Sequence, residues 1–303
     1  MTDGYKATSE QANAIAKRAG FWLRPELRVL RVSGDDRTSW LNGQVTNDLR
    51  QLEPGGSVRA LAVHVRGKIL AEVWVVLAGE ELHVVLPASS EAVLLESFER
   101  YIIMEDVTLA PWPEARVLSL LGPQAAELAA PIGGGFHCDE LGLGGHAWLG
   151  EPAELERVAN ALRGAGVPEI DEGGFELVRL RAGSPRFGRD FGDRSYPQEA
   201  GLKGLVSFNK GCYLGQEVVC TLENRGKLTR QLAVLSGPGA TPAPDTALHG
   251  TGDAALGEVT SAVWDPDAAQ VLALGYVKRA HAAPGTTLTA AGTQLTLQRL
   301  VGA

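Results

Sequence analysis

The segment Lys210-Gly-Cys-Tyr-Leu-Gly-Gln-Glu217 is the densest group of chemically capable side chains in the sequence. Lys210 stands two residues before Cys212. An ammonium near a sulfur favours the thiolate, the form that acts as nucleophile or metal ligand. A helix starting near Gly215 would add the positive end of its dipole to the same effect. Gly211 and Gly215 allow the backbone to approach another surface closely. The plain alternative is that Cys212 is a small apolar residue buried in a tight turn. Cys220 lies eight residues on, Cys138 is remote and no histidine adjoins Cys212, so the four clustered ligands of a structural zinc site are not in prospect. No Walker A, GxSxG or HExxH spacing occurs. Gly142-Leu-Gly-Gly145 leads into a strand, not into the helix that a dinucleotide-binding loop requires.

Other candidates are single side chains. Glu72 falls in an apolar run that reads as a strand, so its carboxylate faces either solvent or a site. Phe175 and Arg179 are one turn apart on a helix and can hold a flat anionic ligand. They can equally be one core residue and one surface charge. Arg179 and Arg181 are two apart and point to different helix faces. Asp35-Asp36 reads as a helix N-cap.

The elements that must position these groups are legible in outline. Ser9–Gly20 reads as a helix that Gly20 ends, and Leu27–Val32 as a strand. A second helix carries Trp40 and Leu41. Ser57–Val65 and Ile69–Leu77 read as a hairpin closed by Arg66-Gly67-Lys68. Leu82–Leu86 reads as a strand. Ser89 or Ser90 caps a helix with Leu94, Phe98 and Tyr101 on one face. Arg116–Leu121 and His146–Leu149 are strands, each followed by a helix, at Pro123–Pro131 and Pro152–Arg163. Gly174–Ala182 is helical. Two successive runs of this kind predict two α+β halves with antiparallel sheets. Residues 184–209 form a long loop whose aromatic residues argue for order. Beyond Arg230 the pattern is strands with Gly, Pro and Asp punctuation, which predicts a small barrel or sandwich. The fold class expected is therefore α+β, with residues 1–228 as an α+β region and 229–303 as a C-terminal β-barrel.

Charge restricts the partners. The 303 residues carry 28 Lys+Arg against 36 Asp+Glu, a net charge of −8. A chain of that sign is a poor default ligand for nucleic acid or anionic lipid. Three cysteines are too few for a disulfide scaffold, the N-terminus lacks a signal-peptide pattern, and no apolar run reaches 18 residues. The cytoplasm is the expected compartment.

The cysteine segment resembles the signature of the YgfZ-type folate-binding proteins, relatives of the glycine-cleavage T protein (aminomethyltransferase). Further resemblance runs along nearly the whole chain. It includes Leu41-Asn-Gly-Gln-Val-Thr-Asn-Asp-Leu49, Arg66-Gly-Lys-Ile-Leu70, Ala182-Gly-Ser-Pro-Arg-Phe-Gly188 and Pro197-Gln-Glu-Ala-Gly-Leu202. In the C-terminal part it includes Gly257-Glu-Val-Thr-Ser-Ala262 and Gly275-Tyr-Val-Lys-Arg279. The resemblance implies two α+β halves around a folate pocket, capped by a barrel. It implies tetrahydrofolate as ligand, a functional Cys212 served by Lys210, and pocket contacts from Phe175, Arg179, Glu72 and Leu27. It also implies a role in assembling or repairing iron–sulfur enzymes, tRNA-modifying ones included, with those enzymes or their assembly proteins as partners. Departures from the T protein weaken the alternative of a one-carbon transferase. Its acidic pair after the hairpin is here Ala71-Glu72, and its pocket glutamate has no counterpart in Gly144-Gly-His-Ala-Trp148.

Overall fold

The computed structural model describes residues 2–302. The chain divides into two units, one of residues 1–13, 171–204 and 219–303, the other of residues 14–170 and 205–218. Helix α1 (Thr2–Lys17) begins the chain. Gly20, expected as the helix end, instead opens strand β1 (Gly20–Leu23). The main chain of Phe21 bonds on one edge to Pro168 and Ile170, which draws these four residues into extended form.

Two antiparallel sheets build the second unit. The first uses β2 (Leu27–Ser33), helix α2 (Arg37–Gln44), β3 (Ser57–Val63), β4 (Ile69–Ala78), β5 (Glu81–Pro87), helix α3 (Glu91–Glu99) and β6 (Thr108–Pro111). Its strand order is β3-β4-β5-β2-β6. The β3–β4 hairpin turns at His64–Lys68, as its sequence predicts: the His64 N–H donates to the Lys68 carbonyl at 2.7 Å, and Gly67 supplies φ +74°. Asp36 and Ser90 occupy the N-cap positions of α2 and α3 but make no side-chain caps there. Asp36 instead accepts the Asp106 N–H.

The other sheet follows with β7 (Arg116–Leu121), α4 (Ala125–Ala129), β8 (Phe136–His137), β9 (Gly145–Gly150) and α5 (Pro152–Gly164), in the order β1-β7-β9-β8. Each sheet buries one face under its own helices. Trp40, Leu41, Leu94 and Phe98 cover the first, and Leu155, Val158 and Leu162 cover the second. The remaining faces meet in a layer of Val29, Val76, Val85, Val117, Phe136, Cys138 and Ala147.

The first unit holds α6 (Glu172–Ala182), while α7 (Gln216–Arg225) runs across the division. Asp171 caps α6 by accepting the Gly174 N–H, and Gly183 ends it at φ +69°. Strands β10 (Arg230–Gly237), β11 (Ala247–His249), β12 (Ala255–Asp265), β13 (Gln270–Lys278), β14 (Thr287–Ala290) and β15 (Thr293–Leu300) close into a six-stranded barrel. Leu235, Leu248, Val259, Leu288 and Leu297 fill it. The fold is thus α+β with a C-terminal barrel, as expected. Among the described residues no helix is long and apolar enough to cross a membrane.

Candidate functional site

The cysteine loop is fastened to the second unit through main-chain groups. Thr46 does much of this work. Its hydroxyl donates to the Leu205 carbonyl at 2.6 Å and accepts the Leu61 N–H, while its own carbonyl accepts from Ser207. Lys210 then enters the turn after α2. Its Nζ donates to the carbonyls of Asn42, Val45 and Asn47 at 2.5, 2.8 and 2.6 Å. An ammonium has three protons, so this set is complete and leaves none for the Cys212 sulfur. Burial pushes the Lys210 ammonium down to about 8. Lys210, expected as a charge beside Cys212, thus also acts as a clamp that fixes the loop.

Beyond the clamp, Leu214 donates its N–H to the Gly43 carbonyl, and Gly215 at φ +77° packs on the His64 carbonyl. A Cβ at Gly215 would stand 2.5 Å from that oxygen. Helix α7 begins at the next residue. Cys212 is exposed rather than packed in the turn. The loop thus presents a solvent-facing thiol on a backbone held from both sides.

Glu72 and Leu27 share one sheet face. Val29 pairs with Val85, and Val85 with Trp74, so these three point the same way. Leu27 and Glu72 lie two residues along from Val29 and Trp74, toward the same end of the sheet. Glu72 is neither free in solvent nor a lone acid. It accepts from Arg59 at 2.5 Å, with 14% of its side chain exposed. Arg59 also lies over the Trp74 ring. Arg24, ion-paired to Glu140 and stacked on Trp22, continues this polar end of the layer between the sheets. A carboxylate acceptor, guanidinium donors and flat indoles thus meet at one end of this layer. Cys138 sits in the same layer, where burial pushes its thiol up.

Phe175 and Arg179 belong to the first unit and are enclosed there, 2% and 1% exposed. Phe175 is a core residue. Arg179 is not a surface charge: it donates to Asp190 at 2.8 Å, Ser261 at 2.8 Å and Glu176 at 2.5 Å. With its guanidinium so engaged, it braces α6 against β12 and the loop at Asp190. Arg181 takes the other helix face and bonds Asp265, Asp267 and Asn13. Sequence reasoning missed Thr46, Asn47 and Asp190. The first two lie in a segment already noted for its resemblance, while Asp190 carried no signal.

A scan of protein-family models finds none that matches the chain. The structure does align with the glycine cleavage system aminomethyltransferase T from Bartonella henselae, at a TM-score of 0.85, covering 98% of this chain and 89% of that one at 20% identity. The fold is that of the aminomethyltransferases. In sequence, the chain is 26% identical to an aminomethyltransferase of Thermosynechococcus vestitus over 90% of its own length and 80% of the relative's. It is 28% identical to the tRNA-modifying protein YgfZ of Escherichia coli O157:H7 over 68% of each chain. In sequence the chain thus resembles both YgfZ and the aminomethyltransferases.

Proposed function

We propose that the protein is a tetrahydrofolate-binding accessory factor, active in the cytoplasm, that serves the assembly or repair of iron–sulfur enzymes, tRNA-modifying ones among them. One observation carries this reading: a loop with the sequence Lys210-Gly-Cys212-Tyr-Leu-Gly-Gln-Glu217 displays an exposed thiol on a clamped backbone. Cys212 is the working group, as thiolate nucleophile, redox group or transient ligand. Lys210 holds its loop in place.

Folate, when bound, would supply one-carbon or reducing chemistry. Glu72 and Leu27 would offer it a carboxylate acceptor for ring N–H groups and an apolar surface. Phe175 and Arg179 support the first unit from within, since neither has an exposed face to offer. A one-carbon transferase is less favoured. Its acid would be Glu72 alone, since Ala71 supplies no second carboxylate. The net charge of −8 favours action on proteins over direct contact with RNA.

The test joins two measurements. Anaerobic calorimetry with tetrahydrofolate should give saturable binding in the micromolar range. In a deletion strain, Cys212→Ala should fail to restore iron–sulfur enzyme activity. Absence of folate binding up to millimolar ligand would remove the cofactor from the reading, and full rescue by Cys212→Ala would remove the thiol.

A further inference from the structure

Beside the cysteine loop, the second unit carries an apolar surface that the proposed function leaves unused. A cavity of about 220 Å³ opens between the β3–β4 turn and α3. Leu214, two residues after Cys212, lines it with Val65, Leu70, Val93 and Tyr101, and His64, Glu96, Ser97 and Arg100 form its polar edge. Val65 and Val93 are half exposed. Tyr101 leads on to Ile103 and Met104, which are 81% and 93% exposed, the highest values for large apolar side chains among the described residues.

Hydrogen bonds hold this tip in shape. Glu105 accepts the N–H groups of Ile103 at 2.9 Å and Met104 at 3.0 Å. The Trp40 indole donates to the Tyr101 carbonyl, and Asp106 exchanges hydrogen bonds with the Asp35–Asp36 turn. Scattered exposed apolar residues are ordinary, but a groove continuous with a rigid apolar tip marks a contact surface.

Charge decides what covers it. Asp35, Asp36, Glu105 and Asp106 surround the tip against Arg37, and the exposed face of α3 adds Glu96 and Glu99 against Arg100, so this side is net acidic, while Arg66 and Lys68 lie on the β3–β4 turn across the cavity. Anionic lipid and nucleic acid are both repelled by such a rim. The geometry points to a basic segment of a partner protein, anchored by an apolar side chain in the cavity and thereby brought beside Cys212. This rests on the reading of Cys212 as the working thiol and adds the chemistry of the partner.

The test uses the full chain with Cys220→Ser and a set of short peptides. Each carries one leucine flanked by lysines, and a cysteine activated as its thionitrobenzoate disulfide two to six residues away. The Cys212 thiolate attacks the peptide sulfur, the protein–peptide disulfide forms, and thionitrobenzoate leaves and is read by its absorbance. The best peptide should react about tenfold faster than its alanine counterpart and than its glutamate-flanked counterpart, because docking raises the effective concentration. Val93→Arg should abolish that advantage while leaving reaction with the small bis-thionitrobenzoate disulfide unchanged. Paired Ile103→Ser and Met104→Ser should reduce the advantage. Equal rates for leucine and alanine peptides, or an advantage that survives Val93→Arg, overturn the docking surface. If Cys212 is inert to the small disulfide as well, the thiol reading fails instead. Docking is then decided by fluorescence anisotropy of the same peptides without the disulfide, where loss of the leucine preference overturns it.

Discussion

Replacing Lys210 by methionine separates two accounts of the cysteine loop. The clamp account predicts a large loss of stability. The Val45 carbonyl is bonded in a buried setting, and those of Asn42 and Asn47 in partly buried ones. Stranding the buried acceptor costs about 2–3 kcal/mol and each partly buried one about 1 kcal/mol. Methionine no longer incurs the ammonium's desolvation, which returns part of this and leaves a net loss of roughly 3 kcal/mol. Urea unfolding at pH 6.5, well below the Lys210 value of about 8, compares the variant with a fully charged lysine. Five of the six tryptophans, Trp22, Trp40, Trp74, Trp112 and Trp148, lie in the second unit, so intrinsic fluorescence reports mainly on the unit that holds the clamp. An unchanged urea midpoint would refute the clamp.

Three further outcomes follow from the same contacts. Gly215→Ala puts a Cβ against the His64 carbonyl at φ +77°, a conformation costing roughly 1–3 kcal/mol for alanine before the clash is counted; differential scanning calorimetry should show a lowered transition and cells a loss of complementation. Arg179→Met removes the charge partner of Asp190, whose side chain is 0% exposed and keeps only the Thr260 hydroxyl and the Arg186 N–H, and should cost about 3–5 kcal/mol in chemical denaturation. The hydrogen bonds from Ser9, Asn13 and Arg181 hold the Asp267 carboxyl down at about 2. A depressed carboxylate stabilises above its unfolded value near 3.8 and loses that effect as pH falls through the folded value, so Asp267→Asn should flatten the acid side of the stability curve between those limits.

Particular residues show what the sequence could and could not convey. The β3–β4 hairpin was legible because Gly67 breaks two apolar runs, and α5 because Pro152 starts a clean helical period ended at Gly164. Strand β1 was not, since Gly20 looks the same as a helix terminator and four residues are too few to show alternation. β6, β8 and β11 were lost for the same want of length. Cys212 stood out by its neighbours, and its exposure agrees with a working thiol. The clamp made by Lys210 was not legible, because its partners are carbonyl oxygens more than 160 positions upstream, and main-chain acceptors leave no mark in residue type. Arg179 read as either a ligand contact or a surface charge, and its bracing role was hidden because Ser261, 82 residues away, comes beside it only once the barrel has formed.

The order in which these parts leave the ribosome differs from the order in which they can fold. Ser9 and Asn13 are made first, yet their acceptor Asp267 comes 254 residues after Asn13. At about 5–20 residues per second, the start of α1 waits roughly 13–50 s for its partner. When residue 170 has been made, the two sheets of residues 14–170 are complete in sequence, while the first unit holds only its opening thirteen residues. The Thr46 and Lys210 attachments cannot form until residue 210 emerges. The thiol loop is therefore locked late, onto sheets that already exist, and its proper seating reports that most of the chain has been made.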